Sequence, residues 1–391
     1  MPRTICVITG TRAEFGLLRH LMGQLAADDR ARLRVLATGS HLVPSLGETW
    51  REIEAAGFAI DARVDLQLRD DSPLGVARSV ARGVEGFARE LDRLAPDLVV
   101  LLGDRYEILA AAEGAMMLGL PIAHLHGGES TEGAIDDAIR HAVTKMSHLH
   151  FVAAEPYRRR VVQLGEDPAR VFTVGAFALD AIAELEPVSI DELSEFAGLD
   201  LAGRPFLLFT YHPVTLELDG IATATRALLD ALDRVPDVSV LATKANADPG
   251  GRQVNALVER WAVDRHDRAR LVASLGHRRY LSAARAATAV VGNSSSGIIE
   301  APALGVPTVN VGSRQRGRLR APSVWDVPEE TDAIVTTLRE VLDGNEVVDP
   351  AKNPYGTPGA ARRTAHVLLE HRLESLVHKR FHDLPSDPRH R

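Results

Sequence analysis

Short runs rich in Val, Ile and Leu recur along the chain, and each is followed by a longer segment with apolar residues at helical spacing. The runs at residues 4–9, 33–38, 98–102, 122–125, 150–152 and 171–174 predict one series of strands; those at 206–210, 238–243, 289–291 and 308–311 predict a second. These runs are continuously apolar rather than alternating. Such strands are covered on both faces, as in parallel sheets whose crossovers are helices. No fixed-period repeat interrupts the β-α order. The clearest break is LEPVSIDELSEFAGLDLAGRP, residues 185–205, with Pro near both ends, a short polar helix and a Gly-Arg-Pro turn. It divides the chain into domains at 1–185 and 186–358. The remainder, 359–391, opens with a helical stretch at 360–376 able to cross back to the first domain. The expected fold class is α/β: two Rossmann-like doubly wound domains facing a central cleft, with ligand at the carboxyl ends of the strands.

With 391 residues, 45% of them hydrophobic, the chain can bury a core in each of two domains. The single cysteine, Cys6, lies within the first predicted strand, so no disulfide framework forms within one chain. A net charge of −8 argues against nucleic acid as a partner. Arg and His nonetheless cluster at 158–160, 277–279 and 314–320, which suits a small anionic ligand. The first apolar run is much shorter than a signal-peptide core or the roughly 20 residues of a membrane span, so a cytoplasmic location without a membrane partner is expected.

The richest stretch is TAVVGNSSSGIIEAPALGVPTVNVGSRQRGR, residues 288–318, where a strand meets a small-residue turn before a helix expected to begin near Ile298. Gly292, Asn293, Ser294, Ser295, Ser296 and Gly297 would let backbone N–H groups and hydroxyls approach an oxyanion at the positive helix end. Glu300 and Arg314 follow at spacings suited to a ribose acceptor and a phosphate donor, pointing to a nucleoside diphosphate or its sugar ester. An ordinary Ser-rich helix cap is the competing reading.

Other chemistry also follows strands. TGTRAE places Arg12 to reach a phosphate or to form a surface ion pair, and GDRYE offers Asp104 and Arg105, with a plain N-cap as the alternative for Asp104. HLHGGESTEGAIDDAIRH sets His124 and His126 two apart on one face, with Glu129, Asp136, Asp137, Arg140 and His141 close behind. So many titratable groups beside a Gly-Gly turn point to proton transfer. A metal hydrolase using His124, His126, Glu129 and Asp104 would leave the anion cradle unexplained. Asp136 with Arg140, and Asp137 with His141, are also ordinary i,i+4 pairs of an exposed helix. In the second series, YHPVT displays His212 where Pro213 stops a strand; TKANADPGGR exposes Lys244, Asn246 and Asp248; and GHRRY puts His277 near a helix start.

Taken together, TGTRAEFGLL, GDRYEILAA, HGGESTEGAIDDAIRHAVTKMSHLHF, YHPVT, TKANADPGGR and GNSSSGIIEAPALGVPTVNVGSRQRGR resemble the hydrolysing UDP-N-acetylglucosamine 2-epimerases of sialic acid and related nonulosonic acid pathways. The resemblance spans residues 3–345, and the order and spacing of the set make it specific. It implies the GT-B architecture with a UDP-sugar as substrate. The implied reaction is loss of the C2 proton with anti elimination of UDP, then hydration of the 2-acetamidoglucal to free N-acetylmannosamine.

By that resemblance Arg12, Ser294, Ser295 and Arg314 hold the phosphates and Glu300 the ribose, with Arg105, Asn246, His277, Ser296 and Gly297 as further substrate contacts. His212 lies near the leaving oxygen. Asp104 and Asp136 match carboxylates associated with proton transfer, and Asp137 is a neighbour able to share that role. Members close to the animal enzyme carry a Glu where this chain has His126, so either His126 or Glu129 takes over that task. The same HGGE variant resembles bacterial relatives that act on UDP-2,4-diacetamido-2,4,6-trideoxyglucose for legionaminic acid, which leaves the substrate open. A non-hydrolysing epimerase, a GT-B glycosyltransferase and a UDP-sugar sensor remain alternatives. No metal or other cofactor is implied, and the family implies a homo-oligomer, dimer or tetramer.

Overall fold

The computed structural model describes residues 2–44, 47–70, 72–130, 135–214, 220–245, 250–344 and 348–384. Two units emerge: one built from Met1–Glu129, Ile135–Ala181 and Gly356–Arg391, the other chiefly from Ile182–Tyr355. The first unit holds a parallel sheet of β1 (Arg3–Thr9), β2 (Ala31–Thr38), β3 (Ala62–Val64), β4 (Leu98–Leu102), β5 (Ile122–Leu125), β6 (Leu149–Val152) and β7 (Val171–Thr173), in the order β3-β2-β1-β4-β5-β6-β7. The second holds β8 (Phe206–Thr210), β9 (Ser239–Thr243), β10 (Ala269–Val272), β11 (Ala289–Gly292), β12 (Thr308–Val311) and β13 (Val324–Val327), also parallel, in the order β10-β9-β8-β11-β12-β13. Both units are therefore doubly wound and Rossmann-like.

Burial on both faces explains the unbroken apolar runs. In β1, Ile5 and Val7 pack with Leu18, Leu21, Met22 and Leu25 of the helix Arg12–Ala26. The alternate residues Cys6 and Ile8 pack on the opposite side with Phe87, Leu91 and Ile108. Burial pushes the Cys6 thiol up to about 12, leaving it a small, unreactive core residue. Likewise Leu207 and Phe209 of β8 join Leu228, Leu232 and Val254, whereas Phe206 and Leu208 join Leu193, Ala283 and Ala284. The latter cluster also takes in Val188, Ala197, Leu199 and Leu201, so the polar-looking segment after the first unit is anchored in the second unit's core.

Strands β3, β10 and β13 have no counterpart among the sequence-predicted runs. They are sheet-end strands of three or four residues, and Arg63, Arg270 and Asp326 break their apolar pattern. Near the carboxyl terminus the helix Ala360–Glu370 packs on Arg12–Ala26, with Ala360, Ala361, Ala365 and Leu368 in the first unit's core. Asp180 caps it, accepting from the N–H groups of Ala360 at 3.0 Å and Ala361 at 2.7 Å. Among the described residues, no helix is long and apolar enough to cross a membrane.

In each sheet the strand order reverses once. The switch lies between β1 and β4 in the first unit and between β8 and β11 in the second. Open α/β sheets bind ligands just beyond the carboxyl ends of strands flanking such a switch.

Candidate active site

Beyond β4, Gly103 adopts φ 83° and turns the chain toward Asp104. Its carbonyl accepts a hydrogen bond from His124 Nε2 at 2.8 Å, while His124 Nδ1 lies 3.1 Å from the Thr144 hydroxyl. Burial lowers His124 to about 3, so it is a neutral imidazole with both nitrogens engaged, and it fixes the β4 turn against β5. Asp104 pairs with Arg140, whose Nη1 also lies 3.5 Å from Glu129. At 3% exposure, Arg140 is buried with Asp104 rather than lying on an exposed helix face. It reaches off the helix Ile135–Met146 and links the turns after β4 and β5. Although burial disfavours its charge, the carboxylates of Asp104 and Glu129 hold its pKa above the usual guanidinium value.

His126 follows β5 with φ 63°, a left-handed conformation uncommon for a residue with a side chain. Its N–H donates to the Phe151 carbonyl at 2.8 Å. Two residues on, Gly128 has φ 76°, and a Cβ there would stand 2.4 Å from the Tyr157 carbonyl, so the tight return requires glycine. That return brings Glu129 Oε1 to 2.6 Å from His126 Nδ1. The Phe177 N–H meets His126 Nε2 at 3.5 Å, and the two rings lie 5.7 Å apart. These partners assign the Nδ1–H tautomer, with Glu129 as acceptor and Nε2 carrying the lone pair. A buried carboxylate thus fixes the orientation of the imidazole.

Asp136 and Asp137 occupy the first turn of the helix Ile135–Met146, where Asp137 Oδ2 is 3.6 Å from His141 Nε2, the expected i,i+4 pair. Arg12 opens the helix Arg12–Ala26, with its Nε 3.2 Å from Glu52. Arg105 directs its Nε to Glu107 Oε1 at 2.6 Å. With both His124 nitrogens engaged by Thr144 and Gly103, the four-ligand metal reading loses that ligand; among the described residues no group of three His, Cys, Asp or Glu is placed to hold an ion.

In the second unit the turn expected to cradle an anion lies at the switch between β8 and β11. Gly292 has φ 124°, and a Cβ there would fall 2.0 Å from the Thr210 carbonyl, so no side chain fits. The Asn293 side chain then clamps the backbone of His212: its Oδ1 accepts from the His212 N–H at 2.7 Å and its Nδ2 donates to the His212 carbonyl at 2.8 Å. Ser294 is the N-cap of the helix Ser295–Ala303, three residues earlier than the expected start at Ile298, because the serines themselves form the first turn. Thr308 ties down the Gly297 carbonyl at 2.7 Å, and Ser296 is buried. Arg314 Nη1 and Gln315 Nε2 both donate to the Asn293 carbonyl, at 3.1 and 2.8 Å, which brings Arg314 to the mouth of the cradle. Burial raises the Glu300 carboxyl above its ordinary range, opposed by Ser296 and Arg318. His277 is the second residue of the helix Gly276–Ala286, and Asn246 and Asp248 lie outside the described residues.

Sequence reading missed three parts of this arrangement: the pairing of Arg140 with Asp104, the Asn293 clamp and the burial of Glu14 with Glu107. The first two join residues 36 and 81 positions apart, which no local pattern signals.

Two Rossmann-like units, one with a helix-N-terminal anion cradle and the other with a paired imidazole and carboxylate set, define a nucleotide-sugar enzyme of GT-B type. The family model described as UDP-N-acetylglucosamine 2-epimerase matches residues 23–369. The chain is 37% identical to the GDP/UDP-N,N'-diacetylbacillosamine 2-epimerase (hydrolyzing) of Campylobacter jejuni, covering 98% of this chain and 99% of that one. It is 34% identical to the UDP-N,N'-diacetylbacillosamine 2-epimerase (hydrolyzing) of Legionella pneumophila, over 96% and 98% of the two chains. Among solved structures, UDP-GlcNAc 2-epimerase from Neisseria meningitidis bound to UDP-GlcNAc superposes with a TM-score of 0.81 at 18% identity, covering 94% of this chain and 100% of that one. The chain belongs to the UDP-N-acetylglucosamine 2-epimerase family, and within it to the hydrolysing enzymes.

Proposed function

We propose that this enzyme removes the nucleotide from UDP-2,4-diacetamido-2,4,6-trideoxyglucose, the N,N'-diacetylbacillosamine ester, and releases the free 2-epimer for nonulosonic acid synthesis of the legionaminic type. The observation that carries the chemistry is the His126–Glu129 contact at 2.6 Å, in a cluster with Arg140 and Asp104. The C2 proton is weakly acidic, so removal requires a positioned base acting together with stabilisation of the departing diphosphate. In this reading one group of the set formed by His126, Asp104, Asp136 and Asp137 takes the C2 proton as the C1–O bond to UDP breaks. Water then adds its hydroxyl to C1 of the glucal, and a proton returns to C2 on the opposite face.

Ser294, Ser295, Ser296, Gly297, Arg314 and Arg12 hold the diphosphate, Glu300 accepts from the ribose hydroxyls, and His212, held by Asn293, protonates or contacts the leaving oxygen. Arg105, Asn246 and His277 complete the substrate contacts of this proposal. The choice of sugar is supported by the two relatives named for the diacetamido substrate over nearly their whole length. UDP-N-acetylglucosamine, with N-acetylmannosamine as product and sialic acid as the pathway, is the second reading. It is favoured by a 30% identical relative from Neisseria meningitidis named UDP-N-acetylglucosamine 2-epimerase. A cytoplasmic homo-oligomer completes the proposal, and sedimentation tests the assembly.

The deciding experiment is proton NMR in D2O with the UDP and GDP esters of the diacetamido sugar beside UDP-N-acetylglucosamine. Stoichiometric nucleotide diphosphate and a free manno-configured sugar deuterated at C2 are expected, with the diacetamido UDP ester fastest. Retention of the C2 proton in the product would refute the elimination, and faster turnover of UDP-N-acetylglucosamine would move the enzyme to the second reading.

A further inference from the structure

Beside the turn that carries Asp104, two carboxyl groups with no sequence signal for pairing are buried together. Glu14, in the first turn of the helix Arg12–Ala26, is 6% exposed, and Glu107, in the first turn of the helix Tyr106–Met117, is 0% exposed. Gly10 N–H donates to Glu14 Oε2 at 2.7 Å. Arg105 Nε donates to Glu107 Oε1 at 2.6 Å and lies 3.9 Å from Glu14 Oε1. A Cβ added at Gly10 would stand 3.1 Å from Glu107 Oε1 and 3.3 Å from Glu14 Oε2, so both carboxyls converge on one glycine. Glu14 Oε1 and Glu107 Oε2 are buried without a hydrogen-bond partner.

The charged and titratable groups around the pair are Arg105, Asp104 and Tyr106. On the adjoining turn Gly39–Leu42, His41 is bound by Thr9 at 3.1 Å and Thr49 at 2.8 Å, and burial lowers it to about 4, so it adds no positive charge near neutrality. One guanidinium thus faces two buried carboxyls, with Asp104 as a third nearby. Two ionised carboxylates in such a site are costly, and a proton held on Glu14 removes the excess charge while supplying a donor.

We propose that Glu14 stays protonated beside Glu107 and that the two act as positioning residues for Asp104, holding Arg105 so that the adjacent Asp104 stays paired with Arg140. The turn is then fixed at three points: His124 on the Gly103 carbonyl, Arg140 on Asp104 and the carboxyl pair on Arg105. Burial, and then the charge of Glu107, push Glu14 up from 4.5 to about 8. Between those values the folded chain binds more protons than the unfolded chain, so this contribution to stability is lost as pH rises through the upper one.

Because the positioning role rests on the reading of Asp104 as a proton-transfer group, the test includes one arm that needs no substrate. Hydrogen exchange of the β1 and β4 amides, which reads the stability of the first unit, is compared in the wild type and Glu14→Gln at about pH 6 and about pH 9. The wild type is expected to lose stability with pH relative to Glu14→Gln, and parallel behaviour would overturn the protonated Glu14. In the second arm Glu107→Gln is expected to lower kcat roughly 10–100-fold with KM held within about threefold, because Asp104 is displaced while nucleotide binding is spared. Glu107→Asp should recover part of that loss. A folded Glu107→Gln with unchanged kcat would overturn the positioning role. Should Glu107→Gln fail to fold, Glu107→Asp is measured alone, with a smaller loss of kcat at constant KM expected and an unchanged kcat overturning the positioning role. A wild type that turns over no nucleotide sugar sinks the functional reading instead, and the exchange arm still decides the protonated Glu14.

Discussion

Replacing Arg140 with methionine removes the guanidinium that bridges Asp104 and Glu129 and leaves a side chain of similar length. The side chains of Arg140 and Glu129 are each 4% exposed and that of Asp104 is 19% exposed. The variant therefore removes the counter-charge from Asp104 and leaves the buried Glu129 on its His126 contact. Breaking a buried pair from one side costs about 3–5 kcal/mol, and the partial exposure of Asp104 places the expected loss near the lower end, about 3 kcal/mol. Two units in one chain make a single global unfolding curve a poor readout. Hydrogen exchange of the amides in β4, β5 and their following turns is the suitable assay, and about 3 kcal/mol corresponds to roughly a 100-fold faster exchange. A cycle with Asp104→Asn should return a coupling of at least about 1 kcal/mol. Exchange within about threefold of the wild type, together with unchanged turnover, would refute the claim that Arg140 holds the two turns together.

Three further perturbations address other parts of the molecule. His126→Ala should lower turnover roughly 10²–10⁴-fold while calorimetry finds UDP affinity within about threefold, and equal loss of both would count against a chemical role for the imidazole. Gly292→Ala forces a Cβ to within 2.0 Å of the Thr210 carbonyl at φ 124°. UDP affinity should fall more than about tenfold, with β4 and β5 exchange unchanged; retained affinity would show that the cradle does not depend on that close approach. Although burial pushes the Glu166 carboxyl up, hydrogen bonds from His150, Lys145 and Lys379 outweigh it and hold the group at about 2. Its stabilising contribution is present above the ordinary carboxylate value and lost as pH falls toward 2. At neutral pH Glu166→Gln should cost about 2–3 kcal/mol and speed proteolysis near Lys379; an undisturbed cleavage pattern would argue against that anchor.

Much of this protein is written locally. A strand covered on both faces must be apolar at every position, so β1, β4, β8 and β11 are legible as runs, and Gly, Asp, His and Ser immediately after such runs mark the strand ends where ligands bind. The order of six motifs also identifies the family, because that order survives where individual contacts cannot be read. By contrast, β3, β10 and β13 take their stability from a neighbouring strand and adjoining helices, which leaves too few apolar positions to announce them.

The division of labour between His124 and His126 is equally invisible in sequence. Two positions apart in one motif, they differ because β5 ends at Leu125: His124 stays inside the sheet, neutral and saturated with hydrogen bonds, while His126 turns left-handed out of it toward Glu129. Spacing placed Arg140 and Asp136 on one helix, yet folding delivered Arg140 to Asp104, 36 positions away, because a buried guanidinium must find carboxylates wherever packing brings them. Chain pattern thus determined the strands covered on both faces, the family and the candidate groups. Only the tertiary structure decided which charges share a burial site, since that depends on distance in space and on the exclusion of water.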